Sequence, residues 1–82
     1  MLHPDAVQTL IQEHLPDAQV IVKGDGEHFE AVVVSPQFEG LSRVRQHQLV
    51  YGAVRAAMDS DRLHALALKT LTPQEWAAGR TP

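Results

Sequence analysis

The sequence predicts an α+β domain in which helices pack on a three-stranded mixed sheet, in the order α-β-β-α-β-α. Two segments rich in β-branched residues flank a Gly-Asp-Gly turn. In a third segment, alternate residues would lie on opposite faces of a strand. The remaining segments have helical apolar spacing or helix caps. A crossover through a helix normally joins parallel strands, so we expect the first two strands to be antiparallel and the last two to be parallel.

The first helix is predicted over residues 4–15. Pro4 suits the first turn of a helix, where its missing amide needs no partner. An apolar stripe follows at helical spacing, formed by Val7, Leu10, Ile11 and Leu15. Pro16 then ends the helix, because proline cannot continue the hydrogen-bonding pattern.

A β-hairpin is predicted next, from the segment AQVIVKGDGEHFEAVVVS at residues 18–35. Glycine adopts positive φ angles at little cost, which explains the Gly-Asp-Gly turn of the hairpin. The segment SPQFEG at residues 35–40 contains Ser-Pro and Gly, which predict a loop before the second helix.

The second helix is predicted to begin after Ser42, a suitable N-cap, and to run to about Met58. Its sheet-facing stripe is expected to contain Val44, His47, Tyr51, Val54 and Met58. The segment RLHALALKTL at residues 62–71 predicts the third strand, with one face formed by His64, Leu66 and Leu68 and the other by Ala65, Ala67 and Lys69. Thr72, Pro73 and Glu75 then form a capping box that starts a short final helix.

Composition predicts one domain over residues 1–82, with 44% hydrophobic and 21% charged residues. The net charge of -3 gives no overall attraction to nucleic acid, so any such contact needs a local basic patch. The sequence shows neither a signal-peptide pattern nor an apolar run long enough to cross a membrane, and we expect a cytoplasmic protein. No zinc-protease motif, catalytic triad or P-loop is present, so we do not expect an enzyme.

Three segments of the chain resemble the BolA family: GDGEHF in the hairpin, FEGLSRVRQHQLVY at the second helix, and LHALALKTLTPQEW at the end. They occur in the family's order across nearly the whole chain. The resemblance implies a fold like the class II KH domain. It also implies a monothiol glutaredoxin partner that shares a 2Fe-2S cluster, held with glutathione, and roles in cluster trafficking, iron homeostasis and stress response. For some relatives it implies transcriptional regulation.

The resemblance implies that His64 is a ligand of the shared cluster. By its residue type alone, His64 would be interpreted as a hydrogen-bonded histidine at the edge of the core. Imidazole can replace thiolate on one iron, as in Rieske centres. The second ligand stays open between His28, Asp25 and groups of the partner alone. Because the chain has no cysteine, we expect the isolated protein to hold no stable cluster.

Arg43, Arg45 and His47 are predicted to contact a partner or nucleic acid. Cations at the start of a helix oppose its dipole, which suggests a functional reason for their placement. The Gly-x-x-Gly clamp of KH domains is missing, so docking to glutaredoxin is favoured over binding to DNA. A nucleic-acid-binding regulator remains the alternative function, and a solvated arginine face paired with Glu39 remains the structural alternative.

Overall fold

A computed structural model describes residues 3–25, 28–59 and 65–79 of the chain. The elements, in chain order, are α1 (Pro4–His14), β1 (Gln19–Gly24), β2 (His28–Val34), a 3-10 turn (Pro36–Phe38), α2 (Arg43–Asp59), β3 (Ala65–Leu71) and α3 (Pro73–Ala77). The predicted α+β order is confirmed. The 3-10 turn lies within the segment predicted as a loop, where the Ser35 hydroxyl accepts a hydrogen bond from the Gln37 amide.

The sheet has the strand order β1-β2-β3. β1 pairs with β2 in antiparallel orientation and β2 with β3 in parallel orientation, as predicted. In the antiparallel pair Lys23 lies opposite Glu30, and in the parallel pair Val32 lies opposite Lys69. Exposed and buried positions alternate along β2 from His28 to Ala31, because successive side chains point to opposite faces.

The hydrophobic core lies between one face of the sheet and the helices α1 and α2. Its largest fully buried side chains are Phe29, from β2, and Phe38, from the 3-10 turn. The other members of the cluster come from α1 and its C-terminal flank, the three strands and α2: Val7, Ile11, Leu15, Ala18, Val20, Ala31, Val33, Val50, Val54, Leu66 and Leu68. On the opposite face of the sheet, the described side chains of Ile21, Glu30 and Ala67 are exposed.

The first helix ends at His14, one residue before the predicted end. Leu15 has φ -128° and ψ 78°, because the ring of Pro16 disfavours a helical conformation in the residue before it. The Gln12 side-chain amide donates a hydrogen bond of 2.7 Å to the Ala18 carbonyl and a longer one of 3.4 Å to the Leu15 carbonyl. This glutamine therefore closes the C-terminal end of α1, a role that the sequence pattern did not indicate.

The sheet-facing stripe of α2 differs from the predicted one. Ser42 is the N-cap as expected, since its hydroxyl accepts a hydrogen bond of 3.2 Å from the Arg45 amide. However, Val44 is 66% exposed, whereas Val50 is fully buried. At 3.6 residues per turn, Val44 lies about 120° around the helix from Val50 and cannot share its face. The prediction that Val44 belongs to the stripe was therefore wrong.

The short helix α3 begins with the predicted capping box. The Thr72 hydroxyl accepts a hydrogen bond from the Glu75 amide at 3.2 Å, and the Glu75 carboxylate accepts one from the Thr72 amide at 2.9 Å. Trp76 is 39% exposed. Because none of its residues is buried, the capping box is the main local feature that stabilises α3. In the part of the chain that the structure describes, no helix has the length and apolar character needed to cross a membrane.

Gly24 is required in the hairpin for a different reason from the predicted one. Among the described residues, the glycines with positive φ are Gly40 and Gly79, so Gly24 does not use that freedom. A Cβ atom at Gly24 would lie 2.5 Å from Cδ1 of Phe29 and 2.7 Å from the backbone oxygen of His28. The absence of a side chain lets the buried Phe29 ring pass over the end of β1.

We predict that Gly24→Ala destabilises the fold by about 1–3 kcal/mol, because the added methyl overpacks against a buried ring and a backbone carbonyl. The matched control is Gly52→Ala in α2, where the nearest atom to an added Cβ is His14 Nε2 at 3.6 Å. That change should stabilise the protein by about 0.5–1 kcal/mol, since alanine favours helix. Urea unfolding of both variants measures the difference, and equal effects would contradict the space argument.

Candidate functional site

The hairpin end of the sheet brings two of the predicted metal-ligand candidates together. The Asp25 amide donates a hydrogen bond of 3.2 Å to the His28 carbonyl, and the His28 amide donates one of 2.9 Å to Asp25 Oδ1. The other carboxylate oxygen, Oδ2, lies 3.8 Å from His28 Nδ1. Both side chains remain more than 70% exposed. The turn therefore presents an imidazole with an adjacent carboxylate to the outside of the protein.

Strand pairing places the start of β3 beside this turn. His28 is the register partner of Ala65, the first residue of β3. The third predicted ligand, His64, precedes Ala65 in the sequence and lies outside the described residues. Across residues 3–25, 28–59 and 65–79, no group of three or more His, Cys, Asp or Glu side chains could hold a metal ion. The described donors at this end are His28 and Asp25.

The second predicted group lies at the start of α2. Arg43 and Arg45 are exposed, and His47 is half-buried. Neither arginine takes part in an ion pair with a described residue, so pairing with Glu39 is not found there. Arg43 and His47 are four residues apart and share one side of the helix, whereas Arg45 lies about 160° from Arg43. The structure thus brings Arg43 and His47 together and separates both from Arg45.

Gln46 connects α2 to two other parts of the fold. Its side-chain amide donates hydrogen bonds to the carbonyls of Phe38, at 3.2 Å, and Leu41, at 3.0 Å. Its side-chain oxygen accepts a hydrogen bond of 2.6 Å from the Thr70 hydroxyl on β3. Sequence reasoning missed this residue. The sequence feature that could have indicated Gln46 is its place next to His47, a residue of the predicted sheet-facing stripe.

The position of His47 lowers its imidazole pKa below the usual 6.5. Burial against the fold is the main cause, because it disfavours the charged form. The Arg43 guanidinium and then the Lys69 ammonium lower the pKa further by repulsion. His47 is therefore a weaker base in the folded protein than in the unfolded chain.

We predict that Gln46→Ala destabilises the protein by about 2 kcal/mol, because three hydrogen bonds are lost and the Leu41 carbonyl and the Thr70 hydroxyl lose their contact with Gln46. The matched control is Gln48→Ala, an exposed glutamine two residues further along the same helix. That variant should change stability by less than about 0.5 kcal/mol. Denaturant unfolding compares the two. A Gln46→Ala variant as stable as Gln48→Ala would show that the three contacts contribute nothing.

Folding stability should decrease as the pH falls below about 6.5, in part through His47. With a lowered pKa, folded His47 binds fewer protons than the unfolded chain, so its contribution is complete above pH 6.5 and is lost toward and below the folded pKa. His47→Gln should remove this component of the pH dependence. Arg43→Gln should reduce it only in part, because burial is the larger cause. Urea unfolding over a pH series tests both, and an unchanged slope in His47→Gln would contradict the assignment.

Comparison with known proteins gives one consistent family. The model for BolA-like proteins matches residues 6–75. The acid stress protein IbaG of Escherichia coli K12 is 39% identical over 74 residues, which cover 90% of this chain and 88% of that protein. The DNA-binding transcriptional regulator BolA of Haemophilus influenzae is 38% identical over 56 residues, or 68% of this chain and 53% of that protein.

Solved structures agree with the sequence relatives. The structure of a BolA protein homologue from Coxiella burnetii matches the chain with a TM-score of 0.84 and 45% sequence identity. The match covers 94% of this chain and 99% of the Coxiella chain. The mixed sheet and its helices are therefore shared over almost the full length of that homologue.

Proposed function

Because the chain belongs to the BolA family and is IbaG-like, we propose that it is a partner of monothiol glutaredoxin that shares a 2Fe-2S cluster. In this proposal the partner's cysteine and glutathione supply thiolates, and this chain supplies imidazole. The cluster then passes between proteins in iron-sulfur trafficking or iron homeostasis. One relative is named an acid stress protein and another a DNA-binding transcriptional regulator, which supports a more general role in stress response or regulation.

The observation that carries the proposal is the pairing of His28 with Asp25 beside the first residue of β3. His28 Nδ1 faces the carboxylate at 3.8 Å, which leaves Nε2 as the nitrogen directed away from it. A carboxylate beside a histidine is the usual arrangement for orienting an imidazole toward a metal. We therefore favour His28 as the second ligand and Asp25 as the residue that positions it. Within the turn, Asp25 Oδ1 accepts a hydrogen bond from the His28 amide, and Oδ2 lies near His28 Nδ1.

His64 is the other proposed ligand from this chain. It is joined directly to Ala65, the register partner of His28. Two imidazoles from this chain, those of His28 and His64, fit the donor chemistry of a cluster in which nitrogen replaces thiolate on one iron. The chain contains no cysteine, so stable retention of the cluster depends on the thiolates of the partner.

We predict that His64→Ala removes the strongly coupled histidine nitrogen from the pulsed EPR spectrum of the reduced complex with glutaredoxin, and that it speeds loss of the visible chromophore. The wild-type complex should also lose its chromophore faster as the pH falls, because imidazole must be neutral to bind iron. His28→Ala should have a smaller effect of the same kind. Circular dichroism should remain near that of the wild type.

The matched control is His14→Ala, which removes an exposed histidine from α1, away from the hairpin. It should leave both the spectrum and cluster retention unchanged. The same strongly coupled nitrogen in the wild type and His64→Ala would show that the ligand lies elsewhere. If no chromophore forms with glutaredoxin at all, while the protein binds duplex DNA with a steep salt dependence, the regulator is the better function.

The regulator alternative has its own support. Arg43 and Arg45 are exposed and form no ion pair with any described residue, so both are available to phosphates. A relative from Haemophilus influenzae is named as a DNA-binding regulator. Against it, the two guanidinium groups leave the helix on opposite sides, and the chain lacks a Gly-x-x-Gly clamp. We therefore rank cluster sharing first.

A further inference from the structure

The side of α2 that points away from the sheet forms a continuous exposed surface. At about 100° per residue, five exposed residues fall within one sector of about 100° around the helix, and the buried Val50 lies on the opposite side. We call this sector the outward face of α2. It consists of Val44, Arg45, Gln48, Gly52 and Arg55.

The outward face of α2 carries positive charge that no acidic residue of the same helix segment offsets. Residues 40–58 contain three arginines, Arg43, Arg45 and Arg55, and no aspartate or glutamate. Neither Arg45 nor Arg55 forms an ion pair with a described residue. The complementary groups on a binding partner are therefore carboxylates, with which guanidinium groups form bidentate hydrogen bonds.

Gly52 has no role within the described fold that requires a glycine. Its φ is not positive, since the described glycines with positive φ are Gly40 and Gly79. An added Cβ would have His14 Nε2 as its nearest neighbour at 3.6 Å, which is an ordinary contact. Glycine is less favourable than alanine inside a helix, so the local structure also argues against it. A glycine at this exposed position does allow the backbone of another molecule to approach closely.

Val44 adds an apolar contact at the other end of the same face. It is 66% exposed, more than Ile21 or Trp76, the other exposed large hydrophobic side chains of the described residues. Val44, Gln48 and Gly52 follow one another at intervals of four residues, which is the spacing of a ridge or groove in helix packing. The outward face therefore has the spacing that a second helix can pack along.

We propose that the outward face of α2 is a docking site for an acidic amphipathic helix of a partner protein. Arg45 and Arg55 lie about 15 Å apart along the axis of α2, or about three helical turns. Glutamates on one side of a single partner helix can therefore reach both arginines. Apolar side chains of the partner helix contact Val44 and pack over Gly52.

Two other occupants complement the outward face less well. A second copy of this chain would present the same arginines, without an acidic group on its own outward face to pair with them. Nucleic acid would find no aromatic side chain among the five residues of the face on which a base could stack. The net charge of -3 also opposes the approach of a polyanion.

The docking site is separate from the hairpin end of the sheet. His28 alternates with the buried Phe29 along β2 and therefore lies on the sheet face opposite the long helices. The outward face of α2 points away from the sheet on the other side of the molecule. A partner helix can therefore occupy it without contacting His28.

The test uses isotope-labelled protein and a capped helical peptide of three heptads, each with one leucine flanked on the same helix face by glutamates. The control peptide has glutamine in place of every glutamate, and a duplex of about ten base pairs is the nucleic-acid probe. NMR titration gives the affinity and identifies the amides that shift. We expect the glutamate peptide to bind more tightly than either other probe, to shift the amides of Gln48 and Gly52, and to bind more weakly as salt rises.

Arg45→Gln and Arg55→Gln should each weaken binding of the glutamate peptide about two- to fivefold. The matched control is Lys23→Gln, which removes the same charge from an exposed position on β1 and should leave affinity unchanged. Gly52→Ala should weaken binding about fivefold although it stabilises the fold, because the added methyl keeps the two helices apart.

Equal losses in Arg45→Gln and Lys23→Gln, unchanged binding in Gly52→Ala, or amide shifts confined to another surface would overturn the proposal. Absence of binding by the glutamate peptide would also overturn it. Tighter binding of the duplex would overturn it in favour of nucleic acid, and a Gly52 amide shift on dilution of the protein alone would do so in favour of a second copy. No iron or glutaredoxin is present, so the outcome is independent of the cluster proposal.

Discussion

The contact of α2 with β3 through Gln46 and Thr70 fixes the rotation of α2, and with it which side chains of this helix are exposed. The Gln46 side chain satisfies the carbonyls of Phe38 and Leu41 as well as the Thr70 hydroxyl, so one residue fixes the loop, the helix and the strand. A rotated helix would break these three hydrogen bonds at a partly buried position, which costs free energy. The rotation of α2 then decides which side chains remain outside.

One consequence is the separation of Arg43 from Arg45. In the sequence the two arginines look like one basic patch, but the fixed rotation of α2 sends them to different sides. Arg43 lies one turn before His47 on the same side of the helix, and burial, followed by repulsion from Arg43 and Lys69, lowers the pKa of His47.

The packing of both long helices on one face has a second consequence. The helices cover Phe29, Ala31 and Val33, and the alternate residues of the same strand face outward. The mixed pairing then brings residues far apart in sequence to one end of the sheet, since His28 aligns with Ala65. The exposed His28 side chain therefore lies beside the start of β3 at the hairpin end.

The sequence by itself determined the order of elements, the mixed sheet, the caps at Ser42 and Thr72, and the end of α1 before Pro16. Each of these depends on local spacing or on a residue's own backbone preference. The buried stripe of α2, the roles of Gln12 and Gln46, and the steric need for Gly24 were decided only by the tertiary structure. Each of these depends on atoms brought close by packing between elements. The same holds for the candidate sites: the residue types indicated imidazole and guanidinium chemistry, but strand register placed His28 beside the start of β3, and packing of α2 left His47 half-buried. Local pattern carries no information on such distances, because they arise only when the core closes.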